Sequence, residues 1–158
     1  MQLHLCQYVP NYKQDCLEIF DSNTPKYFAH EERREFADFL ENQNPPYYYF
    51  VVKEQLGGIV GCGGIKFDLE RQVAKLRWDM VQFQHHREGI GSFLTQNRLA
   101  IIRQSPEVKQ VLLGTSQYSY PFYEKMGFRI YQITEDGIAP GFDEYVMKIE
   151  LCYAKRQR

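Results

Sequence analysis

Two adjacent histidines near the middle of the chain invite a first question about metal chemistry. His85 and His86 stand in the stretch VQFQHHREGIGSFLTQNRLAII, residues 81–102. Neighbouring residues of an extended segment point to opposite sides, so the pair cannot easily share one metal ion. His4 and His30 are distant in sequence, and no H-E-x-x-H helix occurs. The sequence therefore predicts no metal site and assigns the two histidines to a loop.

The glycines that follow the histidines suit another chemistry, the binding of an anion. Glycine lets the backbone approach a ligand, and the first turn of a helix leaves N–H groups unpaired. These donors and the helix dipole favour a phosphate or pyrophosphate. Tight turns that only pack closely use the same pattern, so both interpretations stay open. The residues that would supply the amides are Arg87, Glu88, Gly89, Ile90, Gly91 and Ser92.

The elements on either side of this turn indicate a mixed α/β fold. Apolar periodicity and turn residues predict the order β, α, α, β, β, β, α, β, α, β, β. Helices alternate with strands and hairpins also occur, which predicts a mixed sheet flanked by helices. The strand before the turn reads RQVAKLRWDMVQF. Its alternation would place two sets of side chains on opposite faces, namely Lys75, Arg77, Asp79 and Val81 against Leu76, Trp78 and Met80.

Composition limits the classes of function. The 158 residues predict a single domain over 1–158, and a net charge of −1 gives no basic field to hold nucleic acid. The basic KRQR at residues 155–158 is interpreted as a solvated tail. No apolar run reaches the roughly 18 to 20 residues that cross a membrane. The four cysteines are scattered without a C-x-x-C motif, so we expect reduced thiols in a cytoplasmic protein.

A second motif completes a resemblance to a known family. The stretch SQYSYPFYEKMGF, residues 116–128, runs from a loop through a short helix to a strand. Together with HREGIG, residues 86–91, it resembles the GNAT superfamily of acetyl-CoA-dependent N-acetyltransferases. The similarity in the order of elements extends over nearly the whole chain. It implies a central, mostly antiparallel mixed sheet flanked by helices and an enzyme that uses acetyl-CoA as co-substrate.

The resemblance implies roles for individual residues. Main-chain groups of Met80, Val81 and Phe83 would contact the acetyl carbonyl and the pantetheine arm, and Arg87 to Ser92 would hold the pyrophosphate. Ser116 stands where an Asn usually binds the pantetheine. Tyr123 stands where a Tyr usually protonates the leaving thiolate, and a phenol with a pKa of about 10 can serve as that acid.

The general base is less clearly indicated. Several family members use a Glu on the long strand, and the matching position here is Lys75, which cannot accept a proton in that way. Asp79 is predicted to lie on the same face and could take the substrate proton directly or through water. The alternatives are a salt bridge from Asp79 to Arg77 or Lys75, and proton transfer to a water chain without any protein base.

The predicted activity is transfer of acetyl from acetyl-CoA to a primary amine of a small molecule or peptide. The resemblance implies that residues 23–39 and 135–145, which include a predicted loop at 135–143, would shape the acceptor pocket. Acidic groups there would suit a cationic amine, although they also fit an ordinary charged surface. The alternative from another class is a noncatalytic acyl-CoA-binding module, which the missing Glu at Lys75 favours. The sequence leaves open whether the final strands form a homodimer.

Overall fold

The computed structural model describes residues 2–43 and 47–152, so the predicted basic tail lies outside the described residues. The order of elements confirms the order predicted from sequence. No helix among the described residues is long and apolar enough to span a membrane. The elements are β1 (Leu3–Gln7), α1 (Lys13–Ser22), α2 (Glu32–Glu41), β2 (Tyr47–Glu54), β3 (Ile59–Asp68), β4 (Val73–Val81), α3 (Ile90–Ile102), β5 (Gln110–Thr115), α4 (Tyr120–Lys125), β6 (Arg129–Ala139) and β7 (Phe142–Glu150).

All seven strands form one sheet in the order β1-β2-β3-β4-β5-β7-β6. Every neighbouring pair is antiparallel except β4 and β5, which are parallel. Short links between β2, β3 and β4 and between β6 and β7 allow antiparallel pairing, whereas β4 reaches β5 only through the crossover helix α3. The predicted mixed, mostly antiparallel sheet flanked by helices is confirmed.

Helices cover the two faces of the sheet unequally. On one face, which we call the α3 face, α3 and α4 pack against a core that extends from β2 to β7. On the other, the α1 face, α1 and α2 pack against apolar residues of β1 to β4 only. Among the described residues, no side chain of β5, β6 or β7 belongs to that second core. The α1 face of these three strands is therefore left open.

The predicted alternation along β4 is wrong after Arg77. Trp78 has a φ of +54°, and the register with β3 shifts at this point, which defines a β-bulge. Leu76 therefore packs in the core of the α3 face, whereas Trp78 and Met80 pack on the α1 face. The bulge also turns Asp79 toward the α3 face, away from the lysine with which it was predicted to share a face.

The predicted loop at residues 135–143 is wrong as well, because β6 continues to Ala139 and β7 begins at Phe142. The pairing is irregular between Thr134 and Ala139. Carboxylates satisfy backbone N–H groups there: the N–H of Asp136 donates to Asp143 Oδ1 at 3.0 Å, and that of Gly141 donates to Asp136 Oδ1 at 2.8 Å. Residues typical of a loop here support an irregular hairpin.

Candidate active site

A gap opens between the two parallel strands in the middle of the sheet. Pairing of β4 with β5 ends at Leu76 and Leu113, although the strands continue to Val81 and Thr115. The N–H of Gln82 donates to Val60 O at 2.9 Å, so Gln82 faces β3. Successive peptide groups of a strand alternate in direction, so the N–H of Val81 points to the gap, whereas its carbonyl accepts hydrogen bonds from Asn23 and His86.

The glycine turn lies at the mouth of this gap. Gly89 precedes α3 with a φ of +83°, and no side chain caps the helix. A Cβ atom on Gly89 would meet no atom within 4 Å, whereas one on Gly91 would lie 3.2 Å from Phe122 Cζ. The first glycine thus borders open space beside uncapped amides, and the second permits close packing of α4. Close packing, one of the two interpretations left open by the sequence, applies at Gly91, whereas anion binding at Gly89 stays a prediction.

The two histidines hold the turn in place. His85 Nδ1 lies 2.6 Å from Glu88 Oε2. His86 Nε2 donates to Val81 O at 3.0 Å, and its ring packs against Tyr27 with centroids 5.2 Å apart. In the part of the chain that the structure describes, no group of three or more His, Cys, Asp or Glu side chains could hold a metal ion.

The end of α1 fixes the end of β4 from the other side. Asn23 Nδ2 donates to Val81 O at 2.9 Å, and the N–H of Phe83 donates to Ser22 Oγ at 3.1 Å. Met80 is buried beneath α1 in the core of the α1 face. The sequence did not indicate the contacts of Ser22 and Asn23 with the end of β4, because nothing in it links the end of α1 to a strand some 60 residues later.

A buried network of three side chains borders the gap on the α3 face. Tyr123 Oη donates to Asp79 Oδ2 at 2.8 Å. Arg98 donates from its two terminal nitrogens to the two oxygens of Asp79, each at 2.6 Å, and also to Gly64 O at 2.9 Å. The side chain of Arg98 is completely buried and that of Asp79 is 14% exposed. The predicted partners of Asp79, Arg77 and Lys75, are replaced by Arg98.

The network keeps its phenol protonated and its guanidinium charged. Burial, together with the negative charge of Asp79, raises the pKa of Tyr123 well above its usual value. Burial alone would lower the pKa of Arg98, but attraction and hydrogen bonds from Asp79 outweigh it and raise this pKa. The bidentate contact therefore holds a charged guanidinium in the interior.

Ser116 is buried at the start of the loop that leads into α4. Its Oγ accepts the N–H of Tyr118 at 3.2 Å, and its carbonyl accepts the N–H groups of Ser119 and Tyr120, both at 3.1 Å. The residue thus orders the turn before the helix that carries Tyr123. The hydroxyl hydrogen of Ser116 is not needed for that bond, and a contact of Ser116 with pantetheine stays a prediction.

Arg98 was also missed from sequence, although a signal existed. It lies four residues after Leu94 on the buried side of α3, where a charge needs a partner. A Cβ atom on Gly63 of β3 would lie 3.1 Å from Arg98 Cζ. A charged residue on an apolar helix face, opposite a glycine-rich strand, is the pattern that could have indicated this buried pair.

Comparison with known proteins relates this geometry to one family. The chain matches the profile of the Acetyltransferase (GNAT) family over residues 13–128, which includes the gap, the turn and Tyr123. No curated protein sequence is significantly similar to it.

Solved structures share the fold at low sequence identity. A putative acetyltransferase of the GNAT family from Desulfovibrio desulfuricans has a TM-score of 0.79 and 16% identity, covering 94% of this chain and 99% of that one. The ribosomal-protein-S18-alanine N-acetyltransferase from Escherichia coli has a TM-score of 0.78 and 16% identity, covering 99% of both chains. Spermidine N-acetyltransferase from Vibrio cholerae, in complex with CoA and spermine, has a TM-score of 0.76 and 15% identity, covering 94% and 95%.

Proposed function

Because the chain belongs to the GNAT family of acetyltransferases, we propose that it is an acetyl-CoA-dependent N-acetyltransferase. Its acceptor would be a primary amine of a small molecule or peptide, which attacks the thioester directly. The observation that carries the proposal is the buried phenol of Tyr123 at the edge of the gap, hydrogen-bonded to Asp79 and kept protonated by its raised pKa.

The residues around the gap would bind acetyl-CoA along its length. The uncapped amides from Arg87 to Ser92 would receive the pyrophosphate, and the open space in front of Gly89 supports this role. The main-chain N–H of Val81 would meet the acetyl carbonyl. Preorganised N–H donors of this kind stabilise the oxyanion that forms when an amine adds to the carbonyl.

Tyr123 would give its proton to the sulfur as the C–S bond breaks. Asp79 stays the predicted base. Its hydrogen bond with the phenol gives a route by which the proton taken from the amine can replace the proton that Tyr123 loses. The amine proton would move to Asp79, directly or through water, while the phenol proton moves to the sulfur, and Asp79 would then return a proton to Tyr123. Both oxygens of Asp79 already accept hydrogen bonds, so release of the amine proton to a water chain is the alternative route.

The test is the rate of CoA release by the wild type and by Tyr123→Phe, with labelled acetyl-CoA and a panel of amines. Loss of the general acid should lower kcat by about 10²- to 10⁴-fold. The affinity for acetyl-CoA, measured by the rise in Tm, should change little. An unchanged kcat in the variant, with chemistry rate-limiting, would remove Tyr123 from the mechanism.

The same measurements separate the enzyme from the noncatalytic alternative. A binding module would show the rise in Tm with acetyl-CoA but no turnover with any amine. If millimolar acetyl-CoA fails to raise Tm, both candidates lose their co-substrate. The cytoplasmic location and a homodimer remain predictions from sequence.

A further inference from the structure

Four cations form one row across the open side of the sheet. The register places Lys66 of β3 opposite Lys75 of β4, and Lys75 opposite Leu112 of β5. Leu112 is opposite Lys148 of β7, which is opposite Arg129 of β6. We call Lys66, Lys75, Lys148 and Arg129 the basic row. Because cross-strand partners share a face of the sheet, the four side chains lie on the same side.

That side is the α1 face. Lys66 is opposite Tyr47, whose ring contacts Phe39 of α2 with centroids 5.7 Å apart. The helices end their coverage at β4, so the half of the row on β7 and β6 has no helix above it. Arg129 is exposed, and the three lysines are partly exposed. The row is therefore accessible from solvent.

The cations of the row have no counterion in the part of the chain that the structure describes. Among residues 2–43 and 47–152, no ion pair joins any of the four to a carboxylate. Lys66 and Lys148 instead lie over the rings of Tyr47 and Tyr131, at 5.1 and 4.7 Å from the centroids. Like charges directly opposite each other destabilise a sheet. The ring contacts stabilise two of the four cations but neutralise none of them, whereas an anionic ligand would.

Acidic side chains of this face lie at its ends, outside the row. Glu144 lies beside Gly114 at the end nearest the gap: a Cβ atom on Gly114 would be 3.3 Å from Glu144 Oε2. At the opposite end Glu150 Oε1 accepts a hydrogen bond from Gln110 at 3.3 Å, and Asp68 pairs with Arg71. The middle of the face therefore stays basic.

The basic row begins at the base of the gap. Lys75 immediately precedes Leu76, where the pairing of β4 with β5 ends. On the α3 face, the network of Tyr123, Asp79 and Arg98 closes the gap. An acceptor amine that approaches from the α1 face would pass along the row.

We propose that the basic row binds an acidic segment of a peptide acceptor while the amine of that peptide enters the gap. This inference rests on the proposed acetyltransferase activity. Four inter-strand steps of about 4.8 Å give the row a length of about 19 Å, which is the length of about six extended residues. This length is greater than that of a small amine. A net charge of −1 gives no long-range field for nucleic acid. The row therefore acts locally, on carboxylates that a peptide brings to it.

The first experiment compares two peptides with the same N-terminal residues and free amine. One carries three Asp or Glu residues within the following six positions, and the other carries Asn and Gln there. We expect KM for the acidic peptide to be on the order of tenfold lower at low salt, because complementary charges favour the encounter, and the difference to shrink with added salt. Equal KM values at low salt would overturn the proposal.

The second experiment reverses charge in the row with the double variant Lys148→Glu/Arg129→Glu, two side chains on the face of the sheet opposite Tyr123. The lower KM for the acidic peptide should be lost, while kcat on the neutral peptide should stay the same. A peptide with Lys at the same positions should show a lower KM with the double variant than with the wild type. The matched control is Arg103→Glu, an exposed charge reversal at the end of α3 on the other face, which should keep the preference. Retention of the preference in the double variant would overturn the proposal.

A binding measurement without turnover separates this proposal from the proposed activity. The N-acetylated acidic peptide, a product that needs no catalysis, is titrated against the protein by fluorescence polarisation. Binding that is lost in the double variant supports the row even if no amine is acetylated, an outcome that would refute only the activity. No binding of this peptide, or tighter binding of single-stranded DNA or anionic vesicles, would overturn the row as a peptide site.

Discussion

The charged side chains of β4 are paired on one face of the sheet and unpaired on the other. On the α3 face, Asp79 meets the completely buried Arg98 in a bidentate pair with both distances at 2.6 Å. On the α1 face, Lys75 and Arg77 have no carboxylate partner among the described residues. A buried charge must be paired to be tolerated, whereas a cation in water need not be. The paired charges fix the geometry of the site, and the unpaired ones are free to meet a ligand.

Hydrogen bonds on both faces of the sheet hold the bulge in β4. The hydroxyl of Tyr49 donates to Trp78 O at 2.6 Å from the α1 face, and that of Tyr123 donates to Asp79 Oδ2 at 2.8 Å from the α3 face. Two consecutive residues thus each accept a hydrogen bond from a phenol, one on each face of the sheet. This arrangement offsets the unfavourable positive φ of Trp78 and directs Asp79 to Tyr123.

The largest effect is expected from breaking the buried pair. Arg98→Met should lower the free energy of unfolding by about 3 to 5 kcal/mol, because it leaves the Asp79 carboxylate buried without its cation. Urea unfolding measures the loss. The double variant Arg98→Met/Asp79→Leu should recover most of it, since neither charge remains. A loss below about 1 kcal/mol in the single variant would mean that Asp79 is hydrated and the pair is not structural.

A smaller effect on the same network should follow from filling the space that Arg98 uses. In Gly63→Ala the new Cβ would lie 3.1 Å from both Arg98 Cζ and Leu94 Cδ2. Overpacking of this kind costs about 1 to 3 kcal/mol.

The matched control for this variant is Gly58→Ala, where the Cβ would meet only the flexible end of Glu54 at 3.0 Å. Thermal unfolding compares the two. Equal Tm values for the two variants would show that the backbone of β3 can move to accept the new Cβ and that Gly63 does not constrain Arg98.

The two buried phenols predict how stability depends on pH. Burial is the main cause that raises the pKa of both Tyr49 and Tyr123 well above the usual value. Above pH about 10 the unfolded chain loses these protons while the folded chain keeps them, so stability falls as pH rises. Tyr123→Phe should reduce the steepness of this fall, as measured by urea midpoints from pH 9 to 11. An unchanged slope would contradict a phenol held protonated by the network.

The smallest effect is expected on the open face. Lys148→Ala should change the free energy of unfolding by no more than about 0.5 kcal/mol, because a partly exposed cation that contacts only the Tyr131 ring contributes little. A slight gain would fit relief of repulsion from Arg129, which lies opposite. A loss above about 1 kcal/mol would show that Lys148 is structural, and the contrast between the two sides of β4 would fail.

Particular residues show how far the sequence reaches. The glycine turn and FYEKMGF predicted the family and the order of elements, because local patterns specify turns, caps and apolar periodicity. The prediction from alternation failed at Trp78, because a bulge changes which face each later residue occupies. The local composition does not indicate the bulge. The prediction of a loop after Thr134 failed because Asp, Gly and Pro are typical both of loops and of irregular strands.

The sequence by itself determined the strand–turn–helix that forms the mouth of the gap, since Gly89 and its amides act through local backbone conformation. It also supplied the charges of Lys66, Lys75, Lys148 and Arg129 without indicating that they belong together. Only the tertiary structure paired Asp79 with Arg98 and Tyr123 and aligned four cations from four strands in one row. Contacts between distant segments depend on register and on the bulge, and sheet pairing sets these across the whole chain.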